Sequence, residues 1–178
     1  MRRICVFCGS KAGDRPAYTE AARELGEALA HRGVGLVYGG ASIGLMGVVA
    51  DATLRAGGQA IGVIPDSLKD KEIAHPGLTE LRIVDSMHAR KALMADLSDG
   101  FVALPGGIGT LEELFEIWTW SHLKIHQKPC VLLNVEGYYD ELLIFLDKMH
   151  DAGFIKDYGR AMLRTARTVT EALSLLQA

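Results

Sequence analysis

Short β-branched and aliphatic runs alternate with longer amphipathic stretches along the whole 178-residue chain. Arg3–Phe7, Gly35–Tyr38, Gln59–Ile64, Leu81–Val84, Phe101–Leu104, Cys130–Asn134 and Met162–Thr165 have the pattern of strands. Helices are expected over Pro16–His31, Gly44–Ala56, Ser86–Leu97 (Ser86 as N-cap), Thr110–His122, Tyr138–Ala152 and the last residues. Such alternation dictates right-handed βαβ units and a mainly parallel, doubly wound sheet with helices on both faces. The strands are nearly continuous apolar runs, as in Ile61-Gly62-Val63-Ile64 and Val131-Leu132-Leu133, which two-sided burial demands. No repeat or linker interrupts the pattern, so residues 1–178 are expected to form one domain. The least regular stretch, Pro65 to Glu80, follows a strand and should border a ligand crevice.

Composition removes several classes of function. A hydrophobic content of 49% predicts a sizeable core rather than disorder. The net charge of −3, with basic and acidic residues interspersed, offers no basic stripe for nucleic acid. No apolar run is long enough to span a membrane; the one behind Met1-Arg2-Arg3 stops at Gly9-Ser10. Cys5, Cys8 and Cys130 have no disulfide-framework spacing, so a cytoplasmic protein with reduced thiols is expected. Cys5 and Cys8 have redox-motif spacing, but residues three apart on a strand face opposite sides. His122 and His126 lack the acid of a zinc-protease motif, and no metal is expected.

Two glycine loops each join a strand to a helix: Gly39-Gly40-Ala41-Ser42-Ile43-Gly44-Leu45-Met46-Gly47 and Pro105-Gly106-Gly107-Ile108-Gly109-Thr110. Glycine there permits positive φ and lets a ligand reach the backbone, while the following helix start supplies unpaired N–H groups for an anion. Gly9-Ser10 is a third strand end of small residues. Neither loop has the Gly-Lys-Ser/Thr of a P-loop, and no dinucleotide fingerprint occurs, which disfavours ATP hydrolysis and NAD chemistry. Candidate ligand contacts are Gly9, Ser10, Gly40 and Met46, with Gly107, Ile108, Gly109, Thr110, Leu111 and Glu112 on the second loop and its helix.

Two charged residues stand out. On the helix after Ser86, Met87, Leu93, Met94 and Leu97 form an apolar arc with Arg90 near its middle. A guanidinium there either meets an anion or snorkels past the arc to water. On the helix after the second loop, Leu111, Leu114, Phe115 and Trp118 form the core stripe, and Glu113 points nearly opposite, flanked by Ile117 and Trp120. Glu113 is either a dipole-favoured acid or the edge of a second contact, with another subunit or a closed pocket.

Pro105-Gly106-Gly107-Ile108-Gly109-Thr110-Leu111-Glu112-Glu113 resembles the PGGxGTxxE signature of the LONELY GUY family, cytokinin riboside 5′-monophosphate phosphoribohydrolases formerly labelled lysine decarboxylases. Met87-His88-Ala89-Arg90-Lys91 is similar to the Arg-Lys segment that accompanies it. Ala41 departs from the pattern, since many relatives have glycine there; that position should not need positive φ. The resemblance implies a Rossmann-like fold, a homodimer and cleavage of a nucleoside 5′-monophosphate into adenine-type base and ribose 5-phosphate, without cofactor. It makes Arg90 and Glu113 the catalytic pair and gives Lys91, Gly107 to Thr110, Glu72 and Thr119 contacts to the nucleotide. Arg90 would orient Glu113, hold phosphate or stabilise the departing base. The alternative is a non-catalytic nucleotide or molybdenum-cofactor carrier with a similar Pro-Gly-Gly loop. Lysine decarboxylation would require a pyridoxal phosphate constellation that the residues do not supply.

Overall fold

The computed structural model describes residues 1–68 and 73–177. Seven strands form one sheet: β1 (Arg3–Phe7), β2 (Gly35–Tyr38), β3 (Ala60–Pro65), β4 (Glu80–Val84), β5 (Gly100–Ala103), β6 (Cys130–Leu133) and β7 (Leu163–Ala166). The helices are α1 (Pro16–His31), α2 (Gly44–Arg55), α3 (Met87–Leu97), α4 (Ile108–His122), α5 (Asp140–Asp151), α6 (Asp157–Met162) and α7 (Val169–Gln177). The strand order is β4-β3-β2-β1-β5-β6-β7 and every pairing is parallel, the doubly wound arrangement expected.

The chain winds outward from β1 to β4, then returns to place β5 on the other side of β1. Helices that follow β1 and β5 therefore depart to opposite faces, and a crevice opens at the carboxyl ends of these two strands. Alternation along β1 sends Ile4 and Val6 into the core beneath α1, α2 and α7, and Cys5 and Phe7 into the core beneath α3, α4 and α5. Cys5 and Cys8 fall in these two separate cores, and all three cysteines are free and buried. The edge strand β4 is the least covered, with Ile83 half exposed.

Local chemistry explains the boundaries that differ from expectation. Ser86 caps α3, its Oγ accepting the Ala89 N–H at 3.1 Å. Helix α4 starts at Ile108, so Thr110 lies in its first turn rather than at its edge. Helix α5 starts at Asp140, later than its hydrophobic pattern suggests, because Glu136 (φ 49°) and Gly137 (φ 75°) form a left-handed turn before it. The six-residue α6 was not expected; it is too short to carry a periodic signal.

Candidate active site

The site grows from the ends of β1 and β5. The Gly9 N–H donates to the Pro105 carbonyl at 3.1 Å, and the Leu45 N–H at the start of α2 donates to the Gly9 carbonyl at 3.0 Å. Three strand-to-helix connections thus meet at Gly9. Gly44 makes this possible: its φ is +58°, and a Cβ would lie 2.3 Å from the Ser10 carbonyl carbon. Ala41 is not among the positive-φ residues and pairs in a bridge with Ala74, so the departure from the glycine pattern is accommodated as expected.

The second loop has a different logic. None of its glycines has positive φ. A Cβ on Gly106 would lie 2.1 Å from Thr110 Oγ1, whereas one on Gly107 or Gly109 would meet nothing within 4 Å. Gly106 serves packing; Gly107 and Gly109 keep space open over the α4 N-terminus, where the first N–H groups have no partner within the helix. An anion can approach that backbone directly.

This space continues into a cavity of about 240 Å³ walled by Cys8, Ser10, Met46, Met87, Arg90 and the Gly107–Thr110 segment, with Glu112 and Glu113. Arg90 and Glu113, singled out on different helices, share it. Arg90 is only 4% exposed, which rules out snorkelling to water. Its Nη2 donates to the Gly39 carbonyl at 2.9 Å, and Met87 Sδ lies 3.8 Å from Nη1. Gly39 is required by this reach, since a Cβ would sit 2.1 Å from Nη2. Glu113 is half-buried on α4. Burial, and then the negative charge of Glu113, push the Cys8 thiol up, so the cavity wall beneath that carboxylate is a neutral S–H.

Lys91 lies 4% exposed behind Arg90, in ion pairs with Glu112 and, at 3.0 Å, Glu116. Burial opposes its charge, but the two carboxylates outweigh it and hold its pKa above the ordinary lysine value. The triad ties α3 to α4 and so sets Arg90 against Glu113. Among the other expected contacts, Ser10 and Met46 line the cavity; Gly9 lines a neighbouring one of about 380 Å³, which shares Ser10 and Gly107 with it. Gly40 sits outside both and accepts the His75 N–H at 2.9 Å, while Leu111 packs on the core. Glu72 lies outside the described residues. Thr119 faces elsewhere, lining an apolar cavity of about 210 Å³ with Phe115, Trp118, Met149 and Phe154.

Helix α4 also corrects the expected face. Ile117 is 1% exposed in the same core as Leu114 and Trp118, and Trp120 packs against that core too, so the core face reaches round to the side of Glu113. Thr110 and Ser121 are buried on this side too, and polar residues there displaced the apparent stripe in the sequence. Sequence reasoning missed Cys8 and Gly39 as parts of the site: Cys8 lines the cavity and Gly39 receives the Arg90 guanidinium, contacts that spacing along the chain does not reveal.

Residues 46–176 match the family described as possible lysine decarboxylase. The chain is 51% identical, over 99% of its length and 83% of the relative's, to the cytokinin riboside 5′-monophosphate phosphoribohydrolase LOG1 of Arabidopsis thaliana. It is also 51% identical to the probable enzyme of the same name, LOGL5, of Oryza sativa subsp. japonica, over 99% of this chain and 72% of that one. The chain belongs to the LONELY GUY family. Its fold is shared more widely: the Moco carrier protein of Chlamydomonas reinhardtii superposes with a TM-score of 0.73 at 26% identity, covering 99% of this chain and 95% of that one. The family signature maps onto the cavity wall at Gly107–Thr110, Glu112 and Glu113, and its Arg-Lys segment onto the opposite wall at Arg90.

Proposed function

We propose that this protein hydrolyses the N-glycosidic bond of adenine-type nucleoside 5′-monophosphates, cytokinin ribosides among them, giving free base and ribose 5-phosphate. One observation carries the reading: an arginine and a carboxylate from separate helices converge on the cavity that the open glycine loop borders. The phosphate sits against Gly107–Thr110, where the α4 N-terminus favours an anion. Cleavage develops positive charge at C1′, which the Glu113 carboxylate stabilises while directing the attacking water. Arg90, protonated at any working pH, cannot act as a base; it compensates charge on the carboxylate or the departing base. The cavity of about 240 Å³ is below the roughly 300 Å³ at which small-molecule sites begin. It suits the ribose phosphate, and the base extends beyond it.

The test is incubation with isopentenyladenosine monophosphate and with AMP, following free base by chromatography; no base from either, with folded protein, would sink the reading. Glu113→Gln should lower kcat at least about 100-fold while nucleotide binding persists, and full residual activity would exclude its assigned role. The structural likeness to Moco carriers supports a second reading, a carrier that retains its ligand without turnover. Near-full-length identity to phosphoribohydrolases favours the first. Decarboxylation fits the residues poorly, because a Schiff-base lysine must shed its proton and Lys91 is held protonated by two carboxylates.

The protein acts as a homodimer, through the apolar surface around Phe115, Thr119, Met149 and Phe154. Its three free, buried thiols suit a reducing compartment, and we place it in the cytoplasm. Among the described residues no helix is long and apolar enough to cross a membrane.

A further inference from the structure

Tyr138 lies outside the family signature, more than twenty residues beyond it, yet its hydroxyl donates to the Gly106 carbonyl at 2.7 Å. Its neighbour Tyr139, buried, donates to the Leu104 carbonyl at 2.7 Å. The carbonyl between them, of Pro105, accepts the Gly9 N–H at 3.1 Å. Three consecutive acceptors entering the phosphate loop are therefore each bound by a donor from another segment.

The electrostatic consequence is direct. An anion at the α4 N-terminus is attracted by N–H groups and repelled by any carbonyl oxygen turned toward it. Pro105 has no N–H, but the peptides that lead into Gly106 and Gly107 could present either group. Fixing the oxygens on outside donors leaves the N–H side of the loop to the open space over Gly107 and Gly109.

The segment carrying the tyrosines is built to a fixed shape. Glu136 adopts φ 49° and Gly137 φ 75°, a pair of left-handed residues that turns the chain back toward β5. The buried Asn134 side chain locks this turn, donating to Asp140 at 2.7 Å and accepting the Tyr139 N–H at 2.8 Å. The Tyr138 ring packs edge-on against Tyr18 and Tyr139, with centroids 5.4 and 4.7 Å away.

We propose that Tyr138 is a positioning residue for phosphate recognition, acting through the Gly106 carbonyl without touching the reacting bond. This rests on the hydrolase reading for its kinetic form, but not for its binding form. The test is Tyr138→Phe, which keeps the ring packing and removes only the hydroxyl of a partly exposed residue. KM for AMP and the inhibition constant of inorganic phosphate should rise together by about five- to tenfold. The value of kcat should stay within about twofold, with the melting temperature unchanged. Tyr138→Ala, which also removes the ring, should weaken phosphate inhibition at least as much.

Unchanged inhibition by phosphate would overturn the proposal. So would a loss confined to nucleotide, which would mean that the phenol touches ribose or base directly, or a fall in kcat alone. Calorimetric titration of AMP and of inorganic phosphate into both proteins reads the same affinity loss without turnover. Wild-type protein that binds AMP but releases no base would defeat the hydrolase reading and leave this comparison intact.

Discussion

Glycines 39 and 107 show how residues of one type perform different duties at the site, and mutation separates them. Gly107 has φ −91° and open space where a Cβ would point. An alanine there is compatible with the fold and should change stability by less than about 0.5 kcal/mol. Its methyl would occupy the space proposed for the phosphate, so Gly107→Ala should raise KM about tenfold or more with a near-native melting temperature. Gly39 lies against Arg90, and its Cβ would stand 2.1 Å from Nη2. Gly39→Ala must displace the guanidinium, and a shift of about 1 Å costs on the order of 100-fold in rate. Steady-state kinetics on both variants checks the contrast; similar KM and kcat changes in the two would refute the division. Arg90 was legible in the sequence because a charge inside an apolar arc needs a reason. Gly39 was not, because its reason is a side chain 51 residues away.

Helices α3 and α4 deliver Arg90 and Glu113, the proposed catalytic pair, and the Lys91–Glu112–Glu116 triad sets their spacing. Sequence resemblance places Lys91 on the nucleotide; geometry gives it a structural task, since hydropathy alone cannot reveal which carboxylates a buried lysine meets. Lys91→Met leaves Glu116 half-buried without its cation and should destabilise the fold by about 1–3 kcal/mol. Its kcat should fall while inorganic phosphate still inhibits, whereas loss of phosphate inhibition would return Lys91 to the ligand. Beyond α4, His126 joins the helix to β6: Nε2 lies 3.0 Å from the Ile117 carbonyl, and Nδ1 accepts the Lys128 N–H at 3.1 Å. That pairing uses the neutral ring with its proton on Nε2. Burial, with the Lys128 charge adding to it and the Ile117 carbonyl opposing, lowers the His126 pKa. A lowered histidine pKa means the unfolded chain binds the proton more readily. Stability is therefore lost as pH falls from the ordinary histidine value through the lowered one. Melting temperature should drop between about pH 7.5 and 5.5, and His126→Gln should flatten that slope. An equal slope in the variant would assign the acid sensitivity elsewhere.

At the scale of the whole molecule, alternation of strand and helix was enough to imply a parallel sheet covered on both faces, because each strand must bury two sides. Strand order was not legible, since it depends on where the chain reverses direction about β1. That reversal creates the crevice and brings Ser10, Arg90 and Glu113 together from three separate connections. The sequence left open whether the second contact of α4 is another subunit or a closed pocket, and it did not single out the outer surface that α4 shares with α5. Ile144 is 68% exposed, Phe145 56% and Phe154 83%. Phe115, Thr119, Met149 and Phe154 frame an apolar cavity beside them. A monomer gains nothing from exposing so many large apolar side chains, and each aromatic can bury roughly 150–250 Å². A handful of them approaches the roughly 800 Å² per partner of a stable interface. Phe154→Asp would place a charge in that contact at little cost to the monomer, whose core Phe154 does not enter. Sedimentation should show a dimer for the wild type and a monomer for the variant, with a melting temperature that depends on concentration only in the wild type. A wild-type monomer, or a variant that still sediments as a dimer, would assign this surface another partner. If the dimer forms here, Thr119 lies within the interface, and Thr119→Ala should alter association before it alters phosphate inhibition.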